Sequence, residues 1–327
     1  MTAPLVEVKD LKVAFPGADS AVEAISGVSI GLQPGETLGI VGESGCGKSV
    51  TMLALMGLLP KGVATSGSIL LDGREILGLP DPELAKLRGK RIAMIFQDPL
   101  TALNPVLTIG DQLFEAIRLH NRDLSPDQVK ARAIELLNTV AIPESERRLR
   151  QYPHQFSGGM RQRVMIAMAV ANDPDVLIAD EPTTALDVTV QAQILDVLKA
   201  MRDRLGLALV IITHDLGVVA GIADRIAVMY AGRIVEEGLV DDVFTSPAHP
   251  YTRGLLAAVP RTDAYADRLT PIEGNPPSLT ARPSGCPFHP RCPIAADVCA
   301  RVRPDLRPAK ASRAACHFAE ERREAAE

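Results

Sequence analysis

A glycine-rich octapeptide near the N-terminus constrains this sequence more than any other feature. Residues 42–49 read Gly-Glu-Ser-Gly-Cys-Gly-Lys-Ser, which matches the phosphate-binding pattern G-x-x-x-x-G-K-[ST]. The run before it, residues 36–41, predicts a short buried strand, and the apolar run 50–59 predicts a helix. A glycine-rich turn between a strand and a helix start directs free backbone N–H groups and the positive end of the helix dipole at one point. In such a loop Lys48 reaches the β- and γ-phosphates and the Ser49 hydroxyl ligates Mg²⁺. The sequence therefore predicts a site for a nucleoside triphosphate.

Composition limits what else the chain is expected to do. Its 327 residues allow one large domain with an appendage, or two domains. The net charge of −5 argues against a nucleic-acid surface. No N-terminal segment resembles a signal peptide, and the longest uncharged runs, such as residues 49–60, are too short for a bilayer span of about 20 residues. We expect a soluble chain that works at a membrane only by docking on other subunits.

Hydrophobic patterning divides the chain into segments. Runs at 5–15, 28–32 and 68–71 predict antiparallel strands, and the runs at 176–179 and 207–213 predict buried parallel strands. Residues 98–170 have helical periodicity, with amphipathic helices predicted at 109–119 and 126–140. A helix is predicted at 188–205 and a hairpin at 225–236. Because no second phosphate loop is present, we predict one nucleotide-binding domain over 1–240 with a helical insertion at about 98–170. A proline-rich connector at 241–285 and a four-cysteine module at 286–327 are predicted to follow.

Two adjacent carboxylates follow one of the predicted buried strands. Asp180 and Glu181 come directly after the apolar run 176–179. Parallel α/β sheets place their sites at the carboxyl ends of strands, so both acids are expected there. Asp180 is predicted to hold Mg²⁺ and Glu181 to polarise an attacking water. The alternative, a strand followed by an ordinary acidic loop, is weakened by the phosphate loop upstream.

Three further segments are weaker signals when taken singly. Ser157-Gly158-Gly159 precedes an apolar helix and forms either a plain helix N-cap or a second anion site, used by another copy of the chain or a homologue. His214 ends a strand and is either structural or in contact with the γ-phosphate. Gln97 follows the strand-like run 92–96, where a glutamine could ligate Mg²⁺ and also begin the helical insertion.

Taken together and in this order, these pieces resemble the ATP-binding cassette (ABC) ATPases over roughly residues 5–240. The resemblance implies an α/β fold: a P-loop NTPase (RecA-like) core with an antiparallel β subdomain and an inserted helical subdomain. It implies catalytic roles for Lys48, Gln97, Glu181 and His214, and Mg²⁺ contacts for Ser49, Gln97 and Asp180. It implies nucleotide contacts for Phe15, Gly42, Glu43, Ser44, Gly45, Cys46, Gly47, Lys48, Ser49 and Val50, and for Ser157, Gly158 and Gly159 of the signature motif. Ala185-Leu186-Asp187 match the family's D-loop. The signature departs from the usual Leu-Ser-Gly-Gly-Gln because Met160 replaces the final glutamine.

Two other segments resemble the peptide/nickel importer branch of this family. They are residues 249–253, His-Pro-Tyr-Thr-Arg, and residues 286–293, Cys-Pro-Phe-His-Pro-Arg-Cys-Pro; residues 97–105 agree. The resemblance implies an ATPase subunit that pairs with a second, homologous ATPase beneath two membrane permease subunits. A separate extracytoplasmic protein would bind the substrate. It also implies a peripheral position on the cytoplasmic face of the cell membrane, coupling of ATP hydrolysis to alternating access, and a di- or oligopeptide as substrate, with nickel or another small solute as the alternative.

Four of the five cysteines are concentrated at the C-terminus. Cys286, Cys292, Cys299 and Cys316 are spaced C-x5-C-x6-C-x16-C, without the C-x(2–4)-C pairs that zinc sites usually have. Four thiolates favour a [4Fe–4S] cluster, with zinc and four free buried thiols as alternatives; some peptide-permease ATPases of this branch are thought to carry such clusters. His289 and His317 are either spare ligands or surface residues. We expect a structural role, in which the metal group staples a segment too short to build its own core.

Two other functions compete with the transport reading. ABC ATPases of nucleic-acid repair or translation commonly carry two cassettes or long coiled coils, whereas this sequence has one cassette and no sustained heptads. A metal-binding regulatory module with a non-hydrolysing cassette is the other alternative. The presence of both Glu181 and His214 argues against it.

Overall fold

The computed structural model describes residues 3–17, 21–184, 186–258 and 272–320. The strands are β1 (Val6–Phe15), β2 (Val22–Leu32), β3 (Thr37–Val41), β4 (Ala64–Leu71), β5 (Arg74–Glu75), β6 (Ile92–Ile95), β7 (Val176–Asp180), β8 (Ala208–Thr213), β9 (Arg225–Tyr230), β10 (Arg233–Leu239), β11 (Arg307–Ala309) and β12 (Ser312–Ala314). The helices are α1 (Lys48–Leu55), α2 (Asp81–Leu87), α3 (Pro99–Ala102), α4 (Ile109–His120), α5 (Pro126–Thr139), α6 (Ser145–Arg148), α7 (Gly158–Ala169), α8 (Val188–Leu205), α9 (Leu216–Ile222), α10 (Val240–Thr245), α11 (Pro250–Ala257) and α12 (Asp297–Arg301). Among the described residues, no helix combines the length and the apolar character needed to cross a bilayer.

The chain forms two compact units, which are described separately. Of the described residues, the first unit contains 3–17, 21–32, 37–77, 213–258 and 272–320, and the second contains 33–36, 78–184 and 186–212. In the first unit, β2, β1, β4 and β5 form an antiparallel sheet in that order. This arrangement confirms the antiparallel pairing predicted for the early strands, although β2 begins six residues before the predicted position.

The remaining strands of the first unit, β3, β9, β10, β12 and β11, pair with one another in that order. β3 pairs in parallel with β9, which pairs antiparallel with β10 across the predicted turn. All five residues of β3 are buried, as a strand covered on both faces requires. The short C-terminal strand β12 pairs antiparallel with both β10 and β11, so the hairpin of β11 and β12 extends this part of the sheet.

The second unit combines three parallel strands with helices. β7 lies between β6 and β8, and the residues of β7 and β8 are all buried. The helices α4 and α5 begin with capping boxes at Thr108 and Ser125, where a side chain satisfies an unpaired N–H of the first turn. The predicted helices at 109–119, 126–140 and 188–205 are confirmed within one residue of the observed bounds.

Some sequence predictions differ from the structure. The helix expected over 50–59 begins at Lys48 and ends at Leu55, because Gly57 follows with a left-handed φ of 61°. The helices α10 and α11 lie where we expected only a connector. Residues 259–271 of that connector and residues 321–327 of the cysteine module lie outside the described residues. The division at residues 240 and 285 stays a prediction.

Candidate functional site

The phosphate loop joins β3 to α1 in the first unit. Gly42 is buried, and a Cβ there would lie 2.2 Å from the carbonyl oxygen of Met229. Gly47 is the N-cap residue of α1 and has a φ of 106°, which L-amino acids with side chains rarely adopt. Both glycines are therefore required by the path of the backbone. Ser44 and Gly45, at the middle of the loop, are exposed.

The Lys48 ammonium group is held inside this loop. Its Nζ donates hydrogen bonds to the carbonyl oxygens of Gly42 and Glu43, at 2.7 and 3.0 Å, and the residue is only 5% exposed. Cys46 is also buried, and this burial raises the pKa of its thiol. The loop thus places a cation among its own carbonyl groups at the start of a helix. This arrangement can attract an anion.

The loop is supported by side chains that the sequence predictions left without a role. The N–H of Glu43 donates to the Tyr251 hydroxyl at 2.9 Å. The Glu43 carboxylate accepts two hydrogen bonds from the Arg291 guanidinium, at 2.7 and 2.9 Å. Tyr251 and Arg291 both lie in segments that marked the peptide/nickel branch. That resemblance was the one signal that could have singled them out.

In the second unit, β7 ends at the two predicted carboxylates. Asp180 is 6% exposed, and Glu181 follows it in a left-handed conformation with a φ of 47°. The Glu181 N–H donates to the carbonyl oxygen of Ile212 at 2.9 Å, which fixes the backbone at this point. The carboxylates are therefore adjacent in sequence but held by different surroundings.

The Glu181 carboxylate contacts one predicted site residue, Gln97, and one residue without a predicted role, Thr184. Gln97 Nε2 and Thr184 Oγ1 both donate to Glu181 Oε2, at 2.9 and 2.8 Å. The structure thus brings Gln97 and Glu181 together in the second unit, although they are 84 residues apart in sequence. Thr184 was missed, and its position three residues after Glu181 in a turn is the local signal that could have found it.

The other predicted residues of the first unit lie at the ends of strands or in the first turn of α1. His214 is exposed and follows β8, and Phe15 is half-buried at the end of β1. Ser49 and Val50 are half-buried in the first turn of α1. Their predicted contacts with nucleotide and Mg²⁺ stay predictions.

The serine–glycine turn, residues 157–159, begins α7 in the second unit. Ser157 is exposed, and its hydroxyl accepts a hydrogen bond from the Met160 N–H at 3.3 Å, so Ser157 is the N-cap residue of α7. A Cβ on Gly159 would lie 2.5 Å from Val190 Cγ1, so this glycine also allows close packing against α8. Anion binding by the turn stays a prediction.

The D-loop segment lies between β7 and α8. Asp187 is the N-cap of α8, and its carboxylate accepts from the Val190 N–H at 3.0 Å. Leu186 approaches Gly158, because a Cβ on that glycine would lie 3.6 Å from Leu186 Cδ2. Ala185 lies outside the described residues.

The four C-terminal cysteines line one small apolar cavity of about 10 Å³ in the first unit. All four are free, and Cys299 and Cys316 are buried. Burial raises the pKa of Cys286 and of Cys292 to about 11, so both are neutral thiols at pH 7. His289 and His317 line the same cavity, and each has one ring nitrogen 2.9 Å from a backbone carbonyl oxygen, of Cys286 and of Val302 respectively.

This arrangement tests the predicted metal centre. The donors are of the right type for an iron–sulfur cluster or zinc, and they face a common space without a carboxylate. However, in the part of the chain that the structure describes, no three Cys, His, Asp or Glu side chains are arranged to hold a metal ion. The cysteines therefore share a cavity but do not form a closed set of ligands.

Comparison with protein families and with known proteins shows which proteins this chain is similar to. Residues 25–184 match the ABC transporter family, and residues 235–299 match the oligopeptide/dipeptide transporter C-terminal region. The oligopeptide transport ATP-binding protein OppD of Escherichia coli is 53% identical over 300 residues, covering 92% of this chain and 89% of the relative. The dipeptide transport ATP-binding protein DppD of Bacillus subtilis is 53% identical, covering 92% and 90%. An OppD of Mycobacterium tuberculosis is 54% identical over 93% of this chain, but the chain spans only 50% of that relative's length.

Solved structures agree with this placement. A dimeric ATP-binding cassette in a post-hydrolysis state with ADP and Pi superposes with a TM-score of 0.65 at 30% identity, covering 72% of this chain and 98% of the cassette. The cbiO1 cassette of Clostridium perfringens superposes with a TM-score of 0.63 at 29% identity, covering 75% and 92%. The fold is therefore that of a P-loop ABC cassette with mixed α/β sheets. The chain belongs to the ATP-binding subunits of the ABC transporter family that carry the oligopeptide/dipeptide transporter C-terminal region.

Proposed function

We propose that this chain is the ATP-hydrolysing, energy-coupling subunit of an ABC importer for di- or oligopeptides. The observation that carries the hydrolysis step is the Glu181 carboxylate at the end of β7, oriented by donors from Gln97 and Thr184. The peptide substrate is supported by the C-terminal region and by the names of the E. coli and B. subtilis relatives.

In this function the predicted residues bind the phosphates, adenine and Mg²⁺ or act on the attacking water. Residues 42–50 bind the phosphates, with Lys48 supplying positive charge, and Phe15 stacks on adenine. Ser49, Gln97 and Asp180 would hold Mg²⁺, which would supply positive charge to the phosphate oxygens. Glu181 accepts a proton from the attacking water, and His214 contacts the γ-phosphate and helps orient that water.

The proposed function also requires a second ATPase subunit and membrane permease subunits. Ser157, Gly158 and Gly159 bind the γ-phosphate held by the phosphate loop of a second, homologous ATPase subunit. The exposed position of Ser157 at the start of α7 supports this assignment. The ATPase pair acts from the cytoplasmic face on two membrane permease subunits, with an extracytoplasmic binding protein delivering the solute. A nickel or other small-solute importer is the alternative within this class.

The four cysteines are proposed to hold a [4Fe–4S] cluster, with zinc as the alternative. This assignment rests on the type and number of the donors, because the described side chains are not arranged to hold a metal ion; bound metal would draw the thiols together and stabilise the C-terminal segment. Anaerobic purification followed by assays of iron, acid-labile sulfide and zinc tests it. About four irons and four sulfides per chain are expected. A colourless, zinc-loaded or metal-free protein would contradict the cluster.

The transport function is tested with Glu181→Gln in the complex assembled with its permease subunits in vesicles. Removing the general base is expected to lower ATP turnover by about 10²–10⁴-fold and to trap the ATPase pair with bound ATP. Glu135→Gln is the matched control, because Glu135 forms exposed ion pairs with Arg132 and Arg204.

Solute uptake is measured in the same vesicles with labelled tripeptide and, separately, with nickel. Peptide uptake that depends on ATP and is lost in Glu181→Gln supports the proposal. Nickel uptake alone would assign the alternative substrate. Hydrolysis without movement of either solute would contradict the importer function.

A further inference from the structure

Arg291 connects the cysteine module to the phosphate loop, both within the first unit. It ends the short 3-10 helix His289–Arg291, next to Cys292. Its Nη1 and Nη2 donate to the two carboxylate oxygens of Glu43, at 2.7 and 2.9 Å. The Arg291 side chain is 5% exposed and the Glu43 side chain 25%. Two parallel hydrogen bonds between a planar fork and a carboxylate fix orientation as well as distance, and partial burial protects the pair from solvent screening.

The guanidinium group is held in place from its other sides. Arg291 Nε donates to the carbonyl oxygen of Glu273 at 2.9 Å, and Nη1 donates to the Tyr230 hydroxyl at 3.3 Å. Nη2 also lies 3.4 Å from the carbonyl oxygen of Ile272. The hydrogen bonds with Glu43 raise the pKa of Arg291, so it is a cation at every working pH. The position of the charge is therefore determined by several independent contacts.

Glu43 transmits this contact to the phosphate-binding lysine. Its carbonyl oxygen accepts from Lys48 Nζ at 3.0 Å, and its N–H donates to the Tyr251 hydroxyl at 2.9 Å. One residue therefore contacts Arg291 through its side chain, Lys48 through its carbonyl group and Tyr251 through its N–H. A displacement of Glu43 changes the surroundings of Lys48 directly.

An aromatic cluster fills the space behind the loop. The ring centroids of Tyr230 and Tyr251 lie 4.6 Å apart, and the Phe288 ring lies 5.3 and 5.4 Å from them. Phe288 lies between Cys286 and Cys292 in sequence and is 2% exposed. The same short segment thus supplies Arg291 to the Glu43 carboxylate and Phe288 to the rings behind Glu43.

We propose that Arg291 is a positioning residue for the phosphate loop, and that through it the cysteine module sets the affinity of the loop for nucleotide. The inference rests on the proposed role of the loop in holding phosphates. Arg291 neutralises Glu43, whose charge would otherwise repel the phosphates and compete for Lys48. Loosening of the module around Cys286 and Cys292 withdraws this cation and weakens nucleotide binding without altering the hydrolytic carboxylate.

The first test measures binding of Mg-ATP and of ADP to the full chain by calorimetry, and turnover in the assembled complex. Arg291→Met is expected to weaken binding of both nucleotides by about tenfold, because Glu43 is left as an uncompensated negative charge in the phosphate loop. Turnover at saturating ATP is expected to change by less than about twofold, since the loss is in uniform binding. Arg313→Met is the matched control, because Arg313 forms a 2.6 Å ion pair with Glu237 in the same C-terminal region.

The outcomes separate this inference from the proposed function. Wild-type chain that fails to bind ATP would overturn the proposed function. Wild-type chain that binds ATP while Arg291→Met binds it equally well would overturn only the role of Arg291. Equal weakening in Arg313→Met would show a general loss of stability and would also overturn that role. If Arg291→Met does not fold, Arg291→Lys replaces it, with an intermediate loss expected because the charge remains but the fork is lost.

Two double variants test the mechanism. In Arg291→Met, adding Glu43→Gln removes the uncompensated charge and is expected to restore nucleotide affinity to within about threefold of wild type. No restoration would contradict charge neutralisation. As a single variant, Cys292→Ser is expected to weaken ATP binding. When it is added to Arg291→Met, no further loss of ATP affinity is expected. Fully additive losses would show that the cysteine acts by a route other than Arg291.

Discussion

The phosphate loop and the serine–glycine turn both lead into helices, yet they are built differently. The loop buries Lys48 and is supported by Tyr251 and Arg291, which belong to the same chain. The turn exposes Ser157, whose hydroxyl contacts the backbone of its own helix. The loop is therefore organised by its own chain before any ligand arrives. The turn presents a helix start to the surroundings, as a surface that serves another subunit would.

The largest effect that separates the two regions is expected for Lys48→Ala. Removing this cation leaves the carbonyl groups of Gly42 and Glu43 without their donor and removes the charge that attracts phosphate. ATP affinity of the isolated chain should fall by about 10²–10³-fold, as for other preorganised electrostatic contacts. Titration with ATP measures it, and Lys130→Ala, which removes an exposed ion pair with Glu146, is the control. A loss of ATP affinity of less than threefold would contradict the conclusion that the loop is organised by its own chain.

Acid is expected to lower the stability of the segment that supports the phosphate loop, because this segment contains the buried His249. His249 Nδ1 accepts from the Tyr251 N–H at 3.0 Å, and burial lowers the pKa of His249 to about 3, with the charge of Arg253 contributing. The unfolded chain gains a proton below about pH 6.5, whereas the folded chain does not until about pH 3. Stability is therefore lost as the pH falls through this window.

At pH 5 the loss attributable to His249 is about 2 kcal/mol relative to pH 7. The measurement compares urea unfolding of wild type and of His249→Asn, which keeps an N-cap acceptor without a titrating ring. Glu236 accepts from the His249 N–H in both proteins, so its contribution cancels to first order. Identical pH dependence of the two proteins would rule out this role of His249.

Ser157→Ala should distinguish the turn from the loop by where its effect appears. Nucleotide affinity of the isolated chain should be unchanged, while turnover of the assembled complex should fall by about tenfold, because one hydrogen bond to a charged group is lost. Ser125→Ala removes a similar N-cap from α5 and is the control for the stability cost of about 1 kcal/mol. A loss of nucleotide affinity in the isolated Ser157→Ala chain would contradict the distinction between the two regions.

The smallest effect is expected at the position where the signature departs from the family. Met160→Gln restores the usual glutamine and keeps the backbone N–H that donates to the Ser157 hydroxyl. A gain of about threefold in ATP affinity of the trapped Glu181→Gln pair is expected, from one added neutral hydrogen bond. The same gain in an unpaired chain would show that Met160 acts within its own subunit.

Local patterns accounted for much of the fold. The strand before the loop and the helices α4, α5 and α8 were predictable because period and caps are encoded in adjacent residues. The helix α11 was missed because its N-cap is His249, an unusual capping residue, although Pro250 at the first helical position is a common start signal.

The site was predictable only in part. The phosphate loop follows from its own eight residues, whereas the contact of Gln97 with Glu181 joins positions 84 residues apart. The ion pair of Arg291 with Glu43 spans 248 residues. Such pairs depend on how distant segments pack against each other. The hydrophobic periodicity of one sequence does not encode that packing.

The short hairpin formed by β11 and β12 has a consequence for shortened versions of the protein. β12 covers the open side of β10, pairing Ala314 with Glu236 and Arg313 with Glu237. The Ser312 hydroxyl also reaches the fully buried Glu236 carboxylate at 2.9 Å. Truncation ahead of this hairpin would leave a bare strand edge and an uncovered carboxylate. Such an edge recruits strands from other molecules, so the truncated protein should aggregate even with its phosphate loop intact.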